Sequence, residues 1–334
     1  MKIAVDVMGG DFAPLEILSG AKKFLESGSA QLILVGREAD IRKHLPEIPS
    51  GCEIEDTPDF IEMGEAPAQA LRKKKNASIA LAARLVKQGK AQAFLSAGST
   101  GAQMAASLLE IGRIPGVERP AVAVVFPTHD GKGVVILDVG ANVDCKPNHL
   151  LQFGMMGSAY FERIFNVSAP KIGLLNVGSE AGKGNDLAKA AYPMMQESSL
   201  NFVGNVEADH LFEGAANVVV CDGFVGNVLL KTSEGVSDAV IGAIREGISK
   251  SKLSKEESKV IFSSLARYRV DAPEYSAAPL LGINGCSVVC HGKSKAPVIL
   301  NALNLAAKYS STDVVGLISR NFSKPREKKS VTAQ

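Results

Sequence analysis

The chain contains no tryptophan, and 13 phenylalanines and 5 tyrosines are all the rings that its 334 residues carry. A surface that grips nucleic acid or sugar by aromatic stacking is therefore not expected. The five cysteines, Cys52, Cys145, Cys221, Cys286 and Cys290, are odd in number and form no C-x-x-C pair. That argues against a disulfide framework or a zinc ribbon and predicts reduced, mostly buried thiols. The five histidines show no H-x-x-x-H spacing, so neither a metal centre nor a metal cofactor is expected. An excess of one charge is also missing: 37 Lys and Arg stand against 35 Asp and Glu, leaving +2. A chain this balanced does not hold nucleic acid by bulk charge, and any polyanion must meet a local patch. No run of about 18 uncharged apolar residues occurs. The opening Met1-Lys2-Ile3-Ala4-Val5-Asp6 lacks the apolar core of a signal peptide, so a cytoplasmic protein is expected, with peripheral membrane contact left open.

What the sequence does have is rhythm. Short β-branched runs alternate with amphipathic stretches: Lys2 to Val7 then 14–27, Leu32 to Val35 then a short helix to His44, Ala91 to Leu95 then 99–111. Ala121 to Phe126 and Gly133 to Val139 read as adjacent strands before a helix at 147–165 and a strand at Lys171 to Leu175. Beyond these come a helix near 184–198, strands at 201–206 and 217–221, helices at 224–249 and 254–268, a strand at 286–290, and helices at 294–308 and 311–320. The alternation predicts an α/β fold of three layers, a mostly parallel sheet covered on both faces. No repeat or low-complexity linker interrupts it. The expectation is one interwoven α/β domain over 1–320, with a helical hairpin at about 224–268 and a disordered basic tail at 321–334.

Polar, glycine-rich segments follow the strands, where a parallel sheet collects its ligands. They are Asp6 to Asp11, Ser96 to Gly101, Asp138 to Asn142, Asn176 to Gly178 with Lys183 to Asn185, Gly204-Asn205, Asp222 to Asn227 and His291 to Ser294. Glycines allow close backbone approach, and helix N-termini behind them offer free N–H groups, so a phosphate or other oxyanion is the natural ligand. Nucleotide motifs fail, however. Gly178-x-x-x-Gly182-Lys183-Gly184 is one residue short of a Walker A loop and has Gly where Ser or Thr would hold magnesium, and no G-x-G-x-x-G follows the first strand.

Ala97-Gly98-Ser99-Thr100-Gly101 is one residue away from a nucleophile elbow, which admits a serine hydrolase with Asp138 or Asp222 and then His291 as partners. The competing reading has Ser99 and Thr100 capping the following helix. Arg72-Lys73-Lys74-Lys75-Asn76-Ala77-Ser78 leads into another helix, with Asn76 or Ser78 as its cap. Cations at a helix start oppose the dipole, so this run favours an anion partner over a merely solvated face.

Together these stretches resemble the PlsX family, the phosphate acyltransferases of bacterial phospholipid synthesis. The resemblance is carried by Val5 to Asp11, Lys74 to Ile79, Ser96 to Ala102, Leu137 to Asn142, Leu174 to Gly178, Lys183 to Asn185, Asn201 to Glu207, Val220 to Asn227, Ala278 to Gly282 and His291-Gly292, in order along nearly the whole chain. There are three departures. Ser99 stands where the family usually has Asn. Tyr275-Ser276-Ala277-Ala278 replaces Tyr-Gly-Gly-Ala, with a small local shift expected. The hairpin tip, Ser249 to Glu257, is far less apolar than the family's membrane-resting tip.

The resemblance implies transfer of a long-chain acyl group from acyl carrier protein to inorganic phosphate, giving acyl phosphate. It also implies a homodimer, a fold similar to isocitrate/isopropylmalate dehydrogenases and phosphotransacetylase, and weak peripheral membrane contact through the hairpin. Phosphate is already a competent nucleophile near neutral pH, so such an enzyme has to position it, neutralise its charge and stabilise the oxyanion. The expected catalytic residues are Lys183, Asn185, Asp222, Asn227 and His291, with Asp222 or His291 handling the proton. The expected phosphate binders are Gly9, Gly10, Lys75, Ser78, Gly98, Ser99, Thr100 and Gly101. Two readings from other classes stay open: a thioesterase using Ser99, and a non-catalytic module that binds acyl carrier protein. The acidic carrier requires a local basic face, and Arg72 to Lys74 or the cations of 250–269 are the candidates.

Overall fold

The computed structural model describes residues 1–266 and 275–323. The chain begins β1 (Lys2–Asp6), α1 (Leu15–Glu26), β2 (Gln31–Gly36), α2 (Glu38–His44), β3 (Cys52–Asp56), α3 (Pro67–Lys73), α4 (Ser78–Lys87), β4 (Ala93–Ser96) and α5 (Thr100–Ala106), which runs on as a π turn over Ser107–Ile111. Next come β5 (Ala121–Phe126), β6 (Val134–Leu137), α6 (Pro147–Phe165), β7 (Ile172–Asn176), α7 (Asp186–Gln196), β8 (Phe202–Glu207), a 3₁₀ turn (Ala208–Glu213) and β9 (Val218–Val220). The last elements are α8 (Gly223–Ser249), α9 (Lys255–Ala266), β10 (Ala277–Leu281), β11 (Cys286–Cys290), α10 (Ala296–Ser311) and α11 (Val314–Ser323).

Packing divides the described chain into two compact units. One comprises Met1–Val122, Ala159–Ser168 and the chain from Ser276 onward, and the other comprises Ala123–Ser158 and the chain from Ala169 to Tyr275. In the first unit β3, β2, β1, β4 and β11 pair in that order, all parallel. There β10 closes the row antiparallel to β11 and to the first two residues of β5. In the second unit the rest of β5 lies antiparallel to β6, and β6, β9, β7 and β8 follow in parallel. A mostly parallel α/β sheet is thus observed, as expected.

The strands explain the layering. Ile3, Ala4 and Val5 of β1, Phe94 and Leu95 of β4, and Val134 to Leu137 of β6 have no exposed surface. Successive side chains on a strand point to opposite faces, so such continuous burial requires helices on both. Each fully buried Phe or Leu contributes about 2 kcal/mol of apolar transfer. In the first unit α1 and α10 approach closely because Gly20 leaves room for Ile299, where a Cβ would come within 2.6 Å of Ile299 Cβ. In the second, Gly157 of α6 does the same for Val218, again at 2.6 Å.

Three elements fall outside the sequence expectation: β3, α3 and β10. The expected last helix runs on through Ser323 instead of ending at 320, where Phe322 packs against Gly116. Of the expected tail, 324–334 lies outside the described residues, as do Arg267 and Tyr268 of the expected hairpin.

Candidate active site

In the first unit β1, β4 and β11 are parallel neighbours, so their C-terminal loops emerge side by side. At the floor is Asp6, 2% exposed, the last residue of β1. Its carboxylate accepts the Ser96 hydroxyl at 2.7 Å and the Met8 N–H at 3.2 Å. Ser96 Oγ in turn accepts the Gly98 N–H at 2.9 Å, so one relay binds the loop after β1 to the loop after β4. Burial pushes the Asp6 carboxyl above its ordinary range, against hydrogen bonds from Ser78, Ser96, Met8 and Gly9 that draw it down.

Gly9 is required by this closeness, since a Cβ there would stand 2.6 Å from Asp6 Oδ2 and 2.8 Å from the Gly98 nitrogen. Gly10 adopts φ +110° and faces the carbonyls of Ala97 and Gly292, and Asp11 donates its N–H to Gly292 O at 2.8 Å. The loop after β11 is thereby tied to the same cluster. Ser99 caps α5, accepting the Ala102 N–H at 3.5 Å, while Thr100 is exposed at the first turn and Gly101 abuts Pro67. Ser78 is buried in the first turn of α4 beside Asp6, but neither Ser78 nor Asn76 caps that helix, which has Ala77 at its N-cap position. His291 is exposed, and its Nδ1 accepts the Lys293 N–H at 3.1 Å.

The second unit repeats the theme with different parts. Asp138 follows β6, is fully buried, and accepts the Ala141 N–H at 3.1 Å, the Asn142 N–H at 2.6 Å and Asn142 Nδ2 at 2.9 Å. Gly223 and Gly226 of α8 lie directly against this loop. A Cβ on Gly226 would come 1.9 Å from Asp138 O, and one on Gly223 would come 2.6 Å from Asn142 O. Asp222 caps α8 through the Val225 N–H at 2.9 Å, and Asn227 stands one turn on, next to Gly140. After β7, Asn176 accepts the Val177 N–H at 2.9 Å and donates to Lys183 O at 3.1 Å, and Asn185 caps α7 through the Ala188 N–H at 2.9 Å. The Lys183 ammonium is half exposed, 3.8 Å from Glu180.

Of the expected residues, Gly9, Gly10, Ser78, Gly98, Ser99, Thr100, Gly101 and His291 belong to the first unit's loop edge. Asp222 and Asn227 gather around Asp138, and Lys183 and Asn185 around Asn176. Lys75, by contrast, is exposed and lines a groove with Arg72, Arg84 and Leu109. Asp6, Ser96, Asn142 and Asn176, which organise these loops, were not singled out from the sequence. The signal for two of the loops was an aspartate at or just past a strand's end, followed within three residues by glycine.

Three buried cysteines near these loops are held as thiols. Burial pushes Cys286 and Cys290 up to about 12, and raises Cys221 well above its ordinary value. The hydrolase arrangement is not formed either: Ser99 is a helix cap, and His291 Nδ1, which a triad would turn to a carboxylate, accepts a backbone N–H.

The sequence profile of the fatty acid synthesis protein family matches residues 1–317. The phosphate acyltransferase of Desulfitobacterium hafniense is 51% identical over 311 residues, 92% of this chain and 93% of that protein. This chain belongs to that family. It is an acyltransferase of the phosphate acyltransferase (PlsX) group of fatty acid and phospholipid synthesis. Among solved structures, the EutD phosphotransacetylase from Staphylococcus aureus superposes with a TM-score of 0.62 at 17% identity, covering 93% of this chain and 94% of that one. A 4-hydroxythreonine-4-phosphate dehydrogenase from Salmonella typhimurium gives 0.52 at 15%, covering 92% and 98%. These likenesses show the fold expected from the sequence, one shared by phosphotransacetylases and dehydrogenases.

Proposed function

We propose that this enzyme transfers a long-chain acyl group from acyl carrier protein to inorganic phosphate, releasing acyl phosphate, by direct attack of phosphate on the thioester carbonyl. The observation that carries this reading is the loop edge of the first unit: glycine backbones and the start of α5 are held around buried Asp6 with no activated serine or thiolate among them. Such an edge can bind an anion and an oxyanion through N–H groups, and phosphate supplies the nucleophile itself. Gly9, Gly10, Ser78 and Gly98 to Gly101 are assigned to phosphate and oxyanion binding. Lys183, Asn185 and Asn227 are assigned to charge neutralisation and orientation. Asp222 or His291 receives the phosphate proton. His291 can take that proton only at Nδ1, in exchange for the Lys293 N–H that Nδ1 accepts here, because a neutral ring holding that hydrogen bond carries its own proton on Nε2.

Incubation of the purified protein with acyl carrier thioester, with and without phosphate, tests this. The transferase makes acyl phosphate only with phosphate present. Free acid formed without phosphate would identify a thioesterase, and neither product would leave a binding module.

A homodimer in the cytoplasm, touching the membrane weakly, completes the reading. Long α8 exposes Val228, Val236 and Val240, at 50%, 58% and 49%, an apolar stripe suited to a second copy. No helix among the described residues is long and apolar enough to cross a membrane. The hairpin tip between α8 and α9 is polar: Lys250 pairs with Glu246, and Ser254 and Glu257 form a capping box. Leu253 is the one large aliphatic side chain between the two helices, so contact with lipid is weak and depends on anionic headgroups. Sedimentation should find more protein with anionic than with neutral vesicles, and equal pelleting with both would contradict it.

A further inference from the structure

The first unit carries a groove that the chemistry above does not use. Its volume is about 250 Å³, its apolar lining is Leu71, Ala80, Ala106 and Leu109, and its polar lining is Arg72, Lys75 and the ion-paired Arg84 and Glu110. Two nearby cations are already matched, Lys74 with Glu65 and Arg84 with Glu110 at 2.8 Å. Arg72 and Lys75 have no carboxylate within ion-pair reach among the described residues. Leu109, on the π turn, is 69% exposed, an unusual position for a large aliphatic beside a cavity. The groove and the Ser99–Gly101 loop lie at opposite ends of the same two helices. α3 begins at Pro67, which Gly101 abuts, and ends at the groove with Arg72. α5 begins with Thr100 and ends with Ala106, about 9 Å along at 1.5 Å per residue.

We propose that this groove docks the acidic carrier protein, Leu109 and the apolar walls receiving an apolar side chain of the carrier while Arg72 and Lys75 meet its carboxylates. The inference rests on the reading that the acyl donor is a carrier-protein thioester, and it selects the Arg72 region over the hairpin cations. An apolar lining with unpaired cations complements a small acidic helical partner, steering encounter by charge and holding it by burial. The adjoining helices then carry the docked thioester towards the loop edge, a span that a flexible prosthetic arm bridges.

The test uses the full chain in two arms. In the first, fluorescence anisotropy follows binding of holo acyl carrier protein to the wild type, Arg72→Glu, Leu109→Glu and the control Lys22→Glu, a charge reversal of equal size on exposed α1. Arg72→Glu and Leu109→Glu should each weaken binding about tenfold, Lys22→Glu less than twofold. In the second arm, steady-state transfer should show KM for the carrier thioester rising about as much in both variants, with kcat unchanged. Binding by Arg72→Glu equal to that of the Lys22→Glu control would overturn the proposal. So would a fall in kcat at constant KM, which would assign the groove to the reaction itself, or a change of oligomeric mass in Leu109→Glu, which would assign it to a second copy. If the wild type makes no acyl phosphate at all, the proposed reaction fails, and the binding arm still decides whether the groove holds the carrier.

Discussion

Asp6 and Asp138 are buried aspartates that end or follow a strand and lead into a glycine turn, yet they hold their loops in opposite ways. Asp6 takes donors from separate elements, Ser96 of β4 and Ser78 of α4 as well as its own loop, and so joins segments 90 residues apart. Asp138 takes its N–H donors from residues three and four positions on, with Asn142 contributing both backbone and side chain. One is a junction between elements and the other a staple within one loop. At Asp6 burial outweighs these donors and raises its pKa.

The steric side of the comparison predicts the largest effects. Gly226→Ala drives a methyl to 1.9 Å from the Asp138 backbone carbonyl oxygen, with the buried Cys221 Sγ at 2.9 Å, so no flexible end is there to give way. A loss of about 3 kcal/mol is expected, read as a lower denaturation midpoint at constant m. Gly9→Ala meets a carboxylate at 2.6 Å and the Gly98 nitrogen at 2.8 Å, and should cost about 2 kcal/mol while disturbing all three loops of the first unit. If Gly9→Ala left phosphate-dependent turnover unchanged, the role of those loops would be wrong.

Replacing the carboxylates sharpens the contrast. Asp138→Asn sets an amide donor against N–H groups and should cost about 2 kcal/mol across neutral pH. Asp6→Asn should cost about 1 kcal/mol, and less as pH rises. A carboxyl whose folded pKa is raised makes the native state the better proton binder. Wild-type stability from this group is therefore full below the ordinary carboxylate range and is lost as pH climbs through the raised value. The deficit of Asp6→Asn in chemical denaturation should accordingly shrink as pH rises above the ordinary carboxylate range. A deficit that grows with pH would mean the Asp6 pKa is lowered instead.

The smallest structural effect should come from Lys183→Ala. Its exposed pair with Glu180 holds little stability, a few tenths of a kcal/mol. Turnover should nevertheless fall about tenfold if the ammonium neutralises phosphate. Equal loss of stability and activity would assign Lys183 to the fold of its loop.

The alternation of strands and helices was legible because buried parallel strands are apolar along their length, as in Ala93 to Leu95 and Val134–Leu137. Strand β3 escaped because its sequence, Cys-Glu-Ile-Glu-Asp, belongs to a half-exposed end strand of the row and carries three acids. Strand β10 escaped because Ala-Ala-Pro-Leu-Leu has no β-branched residue and holds Pro279. Helix α3 was hidden in a charge run, its last turn being Arg72 and Lys73. For the site, the glycine turns could be read locally and the helix-cap role of Ser99 could be weighed in advance. The Asp6–Ser96–Gly98 relay could not, because it depends on the register that sets Val5 of β1 beside Leu95 of β4. Likewise Lys75 read as a phosphate ligand from its neighbours in sequence, whereas the turn between α3 and α4 sends it to the groove.

Direct transfer without an acyl-enzyme is the central claim, and a single-turnover experiment with radiolabelled acyl carrier thioester and enzyme in excess tests it most directly. The account predicts that without phosphate no carrier thiol is released and no label stays on the denatured protein, and that adding phosphate converts the label to acyl phosphate in one phase. A burst of free carrier thiol without phosphate, matched by label covalently bound to the chain, would contradict it.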